Sequence, residues 1–490
     1  MLTASLPANK SWTGQFRIGR GASSEPAFRA LPKLGDWCLS AAPDCPTQAI
    51  SDRNGRPIGY LIGAVIDAVG AKLVEGGIRI DWPIDAAARD TAIEQQIYKF
   101  GGSWACLLAA DGCERVYLDA DGTLSLVYDP AQEAAAATAG LLLDDEAYRN
   151  RFDATLFTGL DVAGEGWFPS GLTAHTGIRR LLCNHYLDLS TFETIRHWPS
   201  QPFTHAGQVA ASAARVAAIV RQQAEALLAR GRVVVALTGG NETRFLLAAY
   251  KPILKDLTFV TVAAPSTTRD VVIAKHLAER FGLRHILLPL TEATQAERDT
   301  WLYAAGHCVT GPNMVSHPTI RPLQRDFDFF LGGLGGEIGR AFFWRPTDTP
   351  ETPMGSAELV PRFGMPPSAD VADATERWLE GVAGYDALTK LDLAYMELRM
   401  SAWSAAQTYA QAFVNHLHPL IAREIYTLML DLPPEAKRGN LLIKSAIAQN
   451  WPELGEIPIN RYGDYRDTLH VMRQATDPKR VAKKLRKLFG

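Results

Sequence analysis

The chain has 490 residues, 47% of them hydrophobic and 21% charged, with a formal net charge of −3. One hydrophobic core stops growing near about 250–300 residues, so two domains are expected. So balanced a charge sets up no field favouring nucleic acid or an anionic membrane, and neither is expected as a partner.

No segment approaches the ~18 uncharged apolar residues of a membrane span, and the most apolar early run, "GYLIGAVIDAVGAKLV", contains Asp67 and Lys72. The N-terminus lacks a basic region followed by an apolar run. Cys38, Cys45, Cys106, Cys113, Cys183 and Cys308 are scattered, without CxxC or zinc-type spacing, and read as reduced thiols. A cytoplasmic location is expected.

In chain order, 102–130 ("GSWACLLAADGCERVYLDADGTLSLVYDP") gives three short apolar runs separated by Asp-Gly turns, the pattern of antiparallel strands joined by hairpins. The Ala-rich 131–140 reads as a loop or frayed helix. A Pro/Ser/His-containing stretch places a domain boundary near residue 200. A helix is expected over 206–230, stopped by Gly231. Strands at 233–237, 257–262 and 285–290 then alternate with helices at 243–250 and 269–281, which implies a parallel sheet covered by helices on both faces. Long 3.6-residue periodicity over 392–432 predicts a helical C-terminal part up to Pro433-Pro434.

The ligand crevice of an open parallel sheet lies beyond the carboxyl ends of its strands. "TGGNET", 238–243, follows the first such strand. Gly239 and Gly240 would let backbone amides approach a phosphate, with the next helix aiming its N-terminus at the anion. Thr238 and Thr243 add hydroxyls, and Glu242 is placed to hold a Mg²⁺ bridging phosphates. The plainer alternative is a glycine turn with a helix-capping acid. A second run, "FFLGGLGGEIGRAFFW", also enters a glycine-rich turn ending in an acid, Glu337, with Arg340 behind it. Two such turns suggest a two-acid clamp on a Mg²⁺-polyphosphate; a buried turn with a surface Glu is the alternative.

The first turn resembles the SGGxDS pyrophosphate loop of N-type ATP pyrophosphatases, and nearly the whole chain is similar to the asparagine synthase family. "GGLGGE" stands where that family has GEGxDE, "RDVVIAKHLAERFGLRH" resembles the helix after its second strand, and "HPLIAREIYTLMLDLPPEAKRGNLLIKSAIAQNWPEL" its helical end. The resemblance implies an α/β protein: an N-terminal Ntn-type α+β sandwich, a degenerate glutaminase-like domain over 1–200, then a parallel-sheet ATP-pyrophosphatase (synthetase) domain over 201–490. It also implies ATP and Mg²⁺, adenylation of a substrate carboxylate with release of pyrophosphate, and acyl transfer to a nitrogen nucleophile. Thr238, Gly239, Gly240, Asn241 and Thr243 would then line the pyrophosphate, Gly335 would join the nucleotide set, and Val262 would meet adenine through its backbone. Glu242 and Glu337 would take the metal positions.

Several residues depart from the family pattern. The glutaminase thiol directly after the initiator Met is replaced by Leu2, so glutamine is not expected as nitrogen source. Both metal aspartates are glutamates, longer by one C–C bond, about 1.5 Å. The first acid of GEGxDE is Leu334. Where the family has a cation near its C-terminal RxK, "IPINRYGDY" offers Arg461, with Lys444 a further cationic candidate that also fits a surface lysine. Glu397 and Arg399 could line an acceptor pocket but read better as the solvated edge of an ordinary helix. His276, His285, His307, His416 and His418 form no metal or nucleophile pattern and read as structural. The basic stretch 477–490 carries an apolar stripe, which fits either a solvated helix or one docking an acidic partner.

The leading expectation is an AMP-forming amide ligase or cyclase for peptide or natural-product tailoring. Its partners would be a small-molecule or peptide carboxylate substrate, a precursor peptide among the candidates, with a homo-oligomer left open. The alternative is a binding protein with a vestigial or regulatory nucleotide site.

Overall fold

The apolar runs between Phe16 and Arg196 pair into two largely antiparallel sheets in the computed structural model, which describes residues 6–7, 10–162, 166–309, 312–410 and 415–468. Leu2 and the basic stretch 477–490 lie outside the described residues. One sheet runs in the order Arg179–Arg180, Val127–Asp129, Ala134–Ala136, Phe16–Gly19, Cys38–Ala41, Arg29–Ala30. The other is built around Pro57–Asp67, Gly101–Ala110 and Cys113–Leu118, and continues through His185–Asp188 to Glu193–Arg196. Successive side chains on a strand face opposite ways. Phe16, Ile18, Leu39 and Ala41 of the first sheet therefore meet Tyr60, Ile62, Ala105 and Leu107 of the second in one apolar cluster. On the far side of the second sheet, Leu61, Val65, Trp104 and Cys106 pack with Ile93 and Ile97 of the helix Ala86–Ile97.

Asp111 and Gly112 both sit at positive φ (52° and 73°), the requirement of a two-residue type I′ turn, and close the expected hairpin between Gly101–Ala110 and Cys113–Leu118. The third apolar run behaves differently. Val127–Asp129 crosses to the opposite sheet and pairs with Ala134–Ala136 and Arg179–Arg180. The Ala-rich segment is thus a strand at 134–136 instead of a loop or frayed helix. Alanine is a poor strand former, but here both faces are covered: Ala135 joins the inter-sheet cluster, while Ala134 and Ala136 pack under Leu141, Leu142 and Tyr148.

Past the connection from Arg196 to Val209, the helix Val209–Leu228 leads into a parallel sheet. Its spatial order is His285–Pro289, Thr258–Ala263, Val233–Ala236, Phe329–Leu331, His416–Leu417, each neighbour pair parallel. Val233 and Val235 pack into the main core while Val234 faces a second cluster, so the continuous valine run is buried on both sides. From this strand the chain winds outward twice through the helices Asn241–Tyr250 and Thr268–Phe281, then returns to its other side for Phe329–Leu331. The winding direction reverses between those two strands, and the crevice beyond their carboxyl ends is where such sheets bind ligands.

Two stretches of the helical end depart from expectation. Periodicity over 392–432 resolves into the helix Ala387–Ala394, a π-helical turn Tyr395–Met400 and the helix Ser401–Ala410, then the strand His416–Leu417 and the helix Arg423–Leu430. The two-residue strand pairs with Phe330 and Leu331 and completes the sheet. Glu397 is not on a solvated edge. It is fully buried, holding both Arg196 terminal nitrogens at 2.8 and 2.7 Å, Asn184 Nδ2 at 2.8 Å and Trp378 Nε1 at 2.6 Å. These donors make burial of the charge tolerable and hold its pKa below the usual carboxylate value despite desolvation. One apolar cluster joins Ile66, Ala120 and Cys183 from the antiparallel half to Val216, Val220 and Tyr426. Among the described residues, no helix is long and apolar enough to cross a membrane.

Candidate functional site

Beyond Ala236 the chain turns through Thr238, Gly239 and Gly240 into the helix Asn241–Tyr250, with Gly240 as its N-cap. Much of the turn's polarity is satisfied internally. The Thr238 and Thr243 hydroxyls lie 2.7 Å apart, the Gly240 N–H donates to Thr238 Oγ at 3.1 Å, and the Gly239 N–H donates to Asp270 Oδ1 at 2.8 Å. The Gly239 carbonyl accepts the Asn460 N–H at 2.8 Å. A Cβ on Gly239 would lie 2.5 Å from Ile273 Cδ1, so the glycine permits close packing with the next helix. What the turn offers a ligand is therefore its two hydroxyls and the first-turn N–H groups of the helix, which have no partner within it.

The second turn follows Phe329–Leu331, one strand over. Its glycines make room for a side chain of the first turn: a Cβ on Gly336 would stand 2.7 Å from Glu242 Cγ, and one on Gly333 3.0 Å from Glu242 Cβ. Glu242 thus lies across the second turn and meets Glu337 through Arg340. Arg340 Nε donates to Glu242 Oε1 at 2.8 Å and its Nη2 to Glu337 Oε1 at 3.3 Å, while Glu337 Oε2 accepts the Gly335 N–H at 3.2 Å. Burial first, and the Glu242 charge second, raise the Glu337 pKa, against the pull of Arg340.

A cavity of about 340 Å³ opens over both turns. Its walls include Thr238, Glu242, Thr243, Val262, Leu334 and Glu337. Of the other candidates, Gly239, Gly240 and Gly335 shape the turns just behind this surface. Asn241 is tied by its side chain to Asn440 Nδ2 at 2.7 Å. The Val262 carbonyl accepts the Thr267 hydroxyl at 2.7 Å. Arg461 is exposed and follows Asn460, which docks on Gly239, so the chain delivers its backbone beside the first turn. Lys444 is exposed on the helix Leu441–Asn450 and does not line the cavity.

Sequence reading missed the imidazoles. His416 and His418 flank Leu417 on the edge strand, face the same way, and line the cavity together with His317 from the helix Pro312–Ile320. Their rings lie 4.7 Å apart, and Gly332 leaves the room they fill, since a Cβ there would come within 2.5 Å of the His418 ring. Burial lowers both pKa values, that of His418 to about 4, so the pair is neutral at pH 7. Among the described residues, His416 Nδ1 and His418 Nε2 have no hydrogen-bond partner. The H-x-H spacing was the available signal, but it carries meaning only on a strand.

The donor set fits a magnesium polyphosphate. Mg²⁺ at such sites takes one or two carboxylates and completes its shell with phosphate oxygens and water. Glu242 and Glu337 supply two carboxylates that meet at one guanidinium, and among the described residues no further His, Cys, Asp or Glu joins them as a metal cluster. Arg340 now holds one oxygen of each, through Nε and Nη2. Comparison of the chain with protein-family models finds no match, and comparison with curated proteins finds none.

Proposed function

We propose that this chain is an ATP-dependent, AMP-forming amide-bond synthetase or cyclase of the asparagine synthase type, acting on a peptide or other natural-product carboxylate. The observation carrying this reading is that both glycine turns end adjacent parallel strands at the reversal of the sheet, with one glutamate from each converging over a cavity. Thr238, Thr243 and the helix after them would hold the pyrophosphate, and Val262 the adenine side. Glu242 and Glu337 would hold Mg²⁺, which when bound neutralises phosphate charge. Arg461, or less directly Lys444, would offset charge during acyl transfer. The neutral His416–His418 pair offers acceptors for a substrate amine. All six cysteines are buried, and burial pushes the Cys45 thiol up to about 12, so no thiol is poised to hydrolyse glutamine. An amine within the substrate fits better.

A second reading, a nucleotide-binding protein without turnover, draws on Arg340 already neutralising both acids and on the inward-turned Gly239 and Gly240 amides. Labelled pyrophosphate exchange into ATP, or AMP release, separates the two. A synthetase does one or both with its carboxylate substrate, and Glu337→Gln should abolish that turnover with the fold intact. Retained turnover would remove Glu337 from the metal role.

A further inference from the structure

Away from the glycine turns, a second cleft of about 360 Å³ opens where strands of the antiparallel half meet the helix Ala369–Glu380. Its walls carry Arg179, Arg180, Arg196 and Arg377 but no aspartate or glutamate. Asp370, Asp373, Glu376 and Glu380, the acids of the same helix, lie off the wall. Among the described residues, only Arg196 of the four arginines has an acidic partner, its two terminal nitrogens being held by buried Glu397.

Arg180 is 7% exposed; its guanidinium meets Ser125 Oγ through Nη1 at 2.5 Å and the Cys308 thiol, and its Nε has no partner among the described residues. Arg196 Nε is likewise buried and unpartnered. Arg179, beside the Tyr128 phenol, and Arg377 are exposed at the rim. These arginines come from three different elements, so no single amphipathic face accounts for the grouping: Arg179 lies on the strand paired with Val127–Asp129, Arg196 ends Glu193–Arg196, and Arg377 lies on the helix, while Arg180, the strand neighbour of Arg179, turns its guanidinium the other way, to Ser125. Arg179 and Arg377 are two cations without an acidic partner among the described residues; around one cleft they repel unless an anion joins them, and a buried guanidinium N–H left unpaired, as at Arg196 Nε, is costly. The planar forked donor matches carboxylate and phosphate oxygens. His185, also on the wall, is held neutral by burial and by the Arg196 charge, with its pKa lowered to about 4, and adds no competing cation.

We infer that this cleft is an anion-binding site for a small ligand bearing two or more negative charges on phosphate or carboxylate groups. It is separate from the cavity over the glycine turns and does not depend on how that cavity is read.

The test is isothermal titration calorimetry of the full chain with inorganic phosphate in one arm and citrate in the other. Saturable binding of either is expected, and the arm that binds more tightly identifies the oxyanion. The double variant Arg179→Gln/Arg377→Gln alters exposed side chains without an acidic partner among the described residues, so its thermal midpoint should not fall. Its affinity for the same anion should fall by at least about tenfold. Absence of binding in both arms, or equal affinity in the variant, overturns the site.

Discussion

Arg340 presents two N–H groups, and each takes an oxygen from a different glutamate. Without it Glu242 and Glu337 would face each other part-buried and unneutralised. Replacing Arg340 by Gln should therefore cost about 1–3 kcal/mol of stability. Mg²⁺ alone should then raise the thermal midpoint of Arg340→Gln more than that of the unaltered protein, because the vacated acids become available to the metal. Equal shifts would mean that the acids do not bind Mg²⁺. The pH response of Glu337 follows from the direction of its shift. A carboxyl whose pKa is raised on folding binds its proton more tightly in the folded state, so its contribution is complete below the ordinary value of 4.5 and is lost as pH rises above it. Relative to the unaltered protein, Glu337→Gln should gain stability from about pH 5 to about pH 8. Thermal midpoints across that range measure the difference, and a constant offset would contradict it.

Among elements, the second glycine turn shows how one loop is shaped by the side chain of another. Gly336→Ala places a methyl 2.7 Å from Glu242 Cγ, and the carboxylate must move. A displacement near 1 Å can cost about 10²-fold in turnover, so AMP release should fall far more than the thermal midpoint. The Thr-Gly-Gly turn was legible in the sequence because everything that makes it is local: an apolar strand, two glycines and a helix start within about ten residues. The acid after each turn was legible for the same reason. The bridge from Arg340 to Glu242 was not, because it spans 98 positions. Glu397 was misread for a related cause: its partner Arg196 is 201 positions away, and nothing around 397 announces it. The strand His416–Leu417 is too short to display a two-residue period, and the alanine strand has no polar member to mark its faces.

In the molecule as a whole, the two sides of the Arg196–Val209 connection share polar as well as apolar interior. Arg196 and Asn184 reach Glu397 from one side and Trp378 from the other, while Asn184 Oδ1 also accepts Arg423 Nη1 at 2.7 Å. Removing one member of such a buried set leaves charge without an answer. Glu397→Ala should cost about 3–5 kcal/mol. Calorimetry should show the whole chain melting at lower temperature in one transition; two separate transitions would argue that the halves unfold independently.

The shared glutamate also limits how such a chain can diverge. Neither half is free to drift alone at these positions, because a change at 397 has to be met by changes at 184 and 196, far away in the gene. A hybrid whose front half came from a distant cousin would inherit an orphaned charge at its centre unless both donors travelled with the graft. Shuffling at this seam therefore passes only matched pairs.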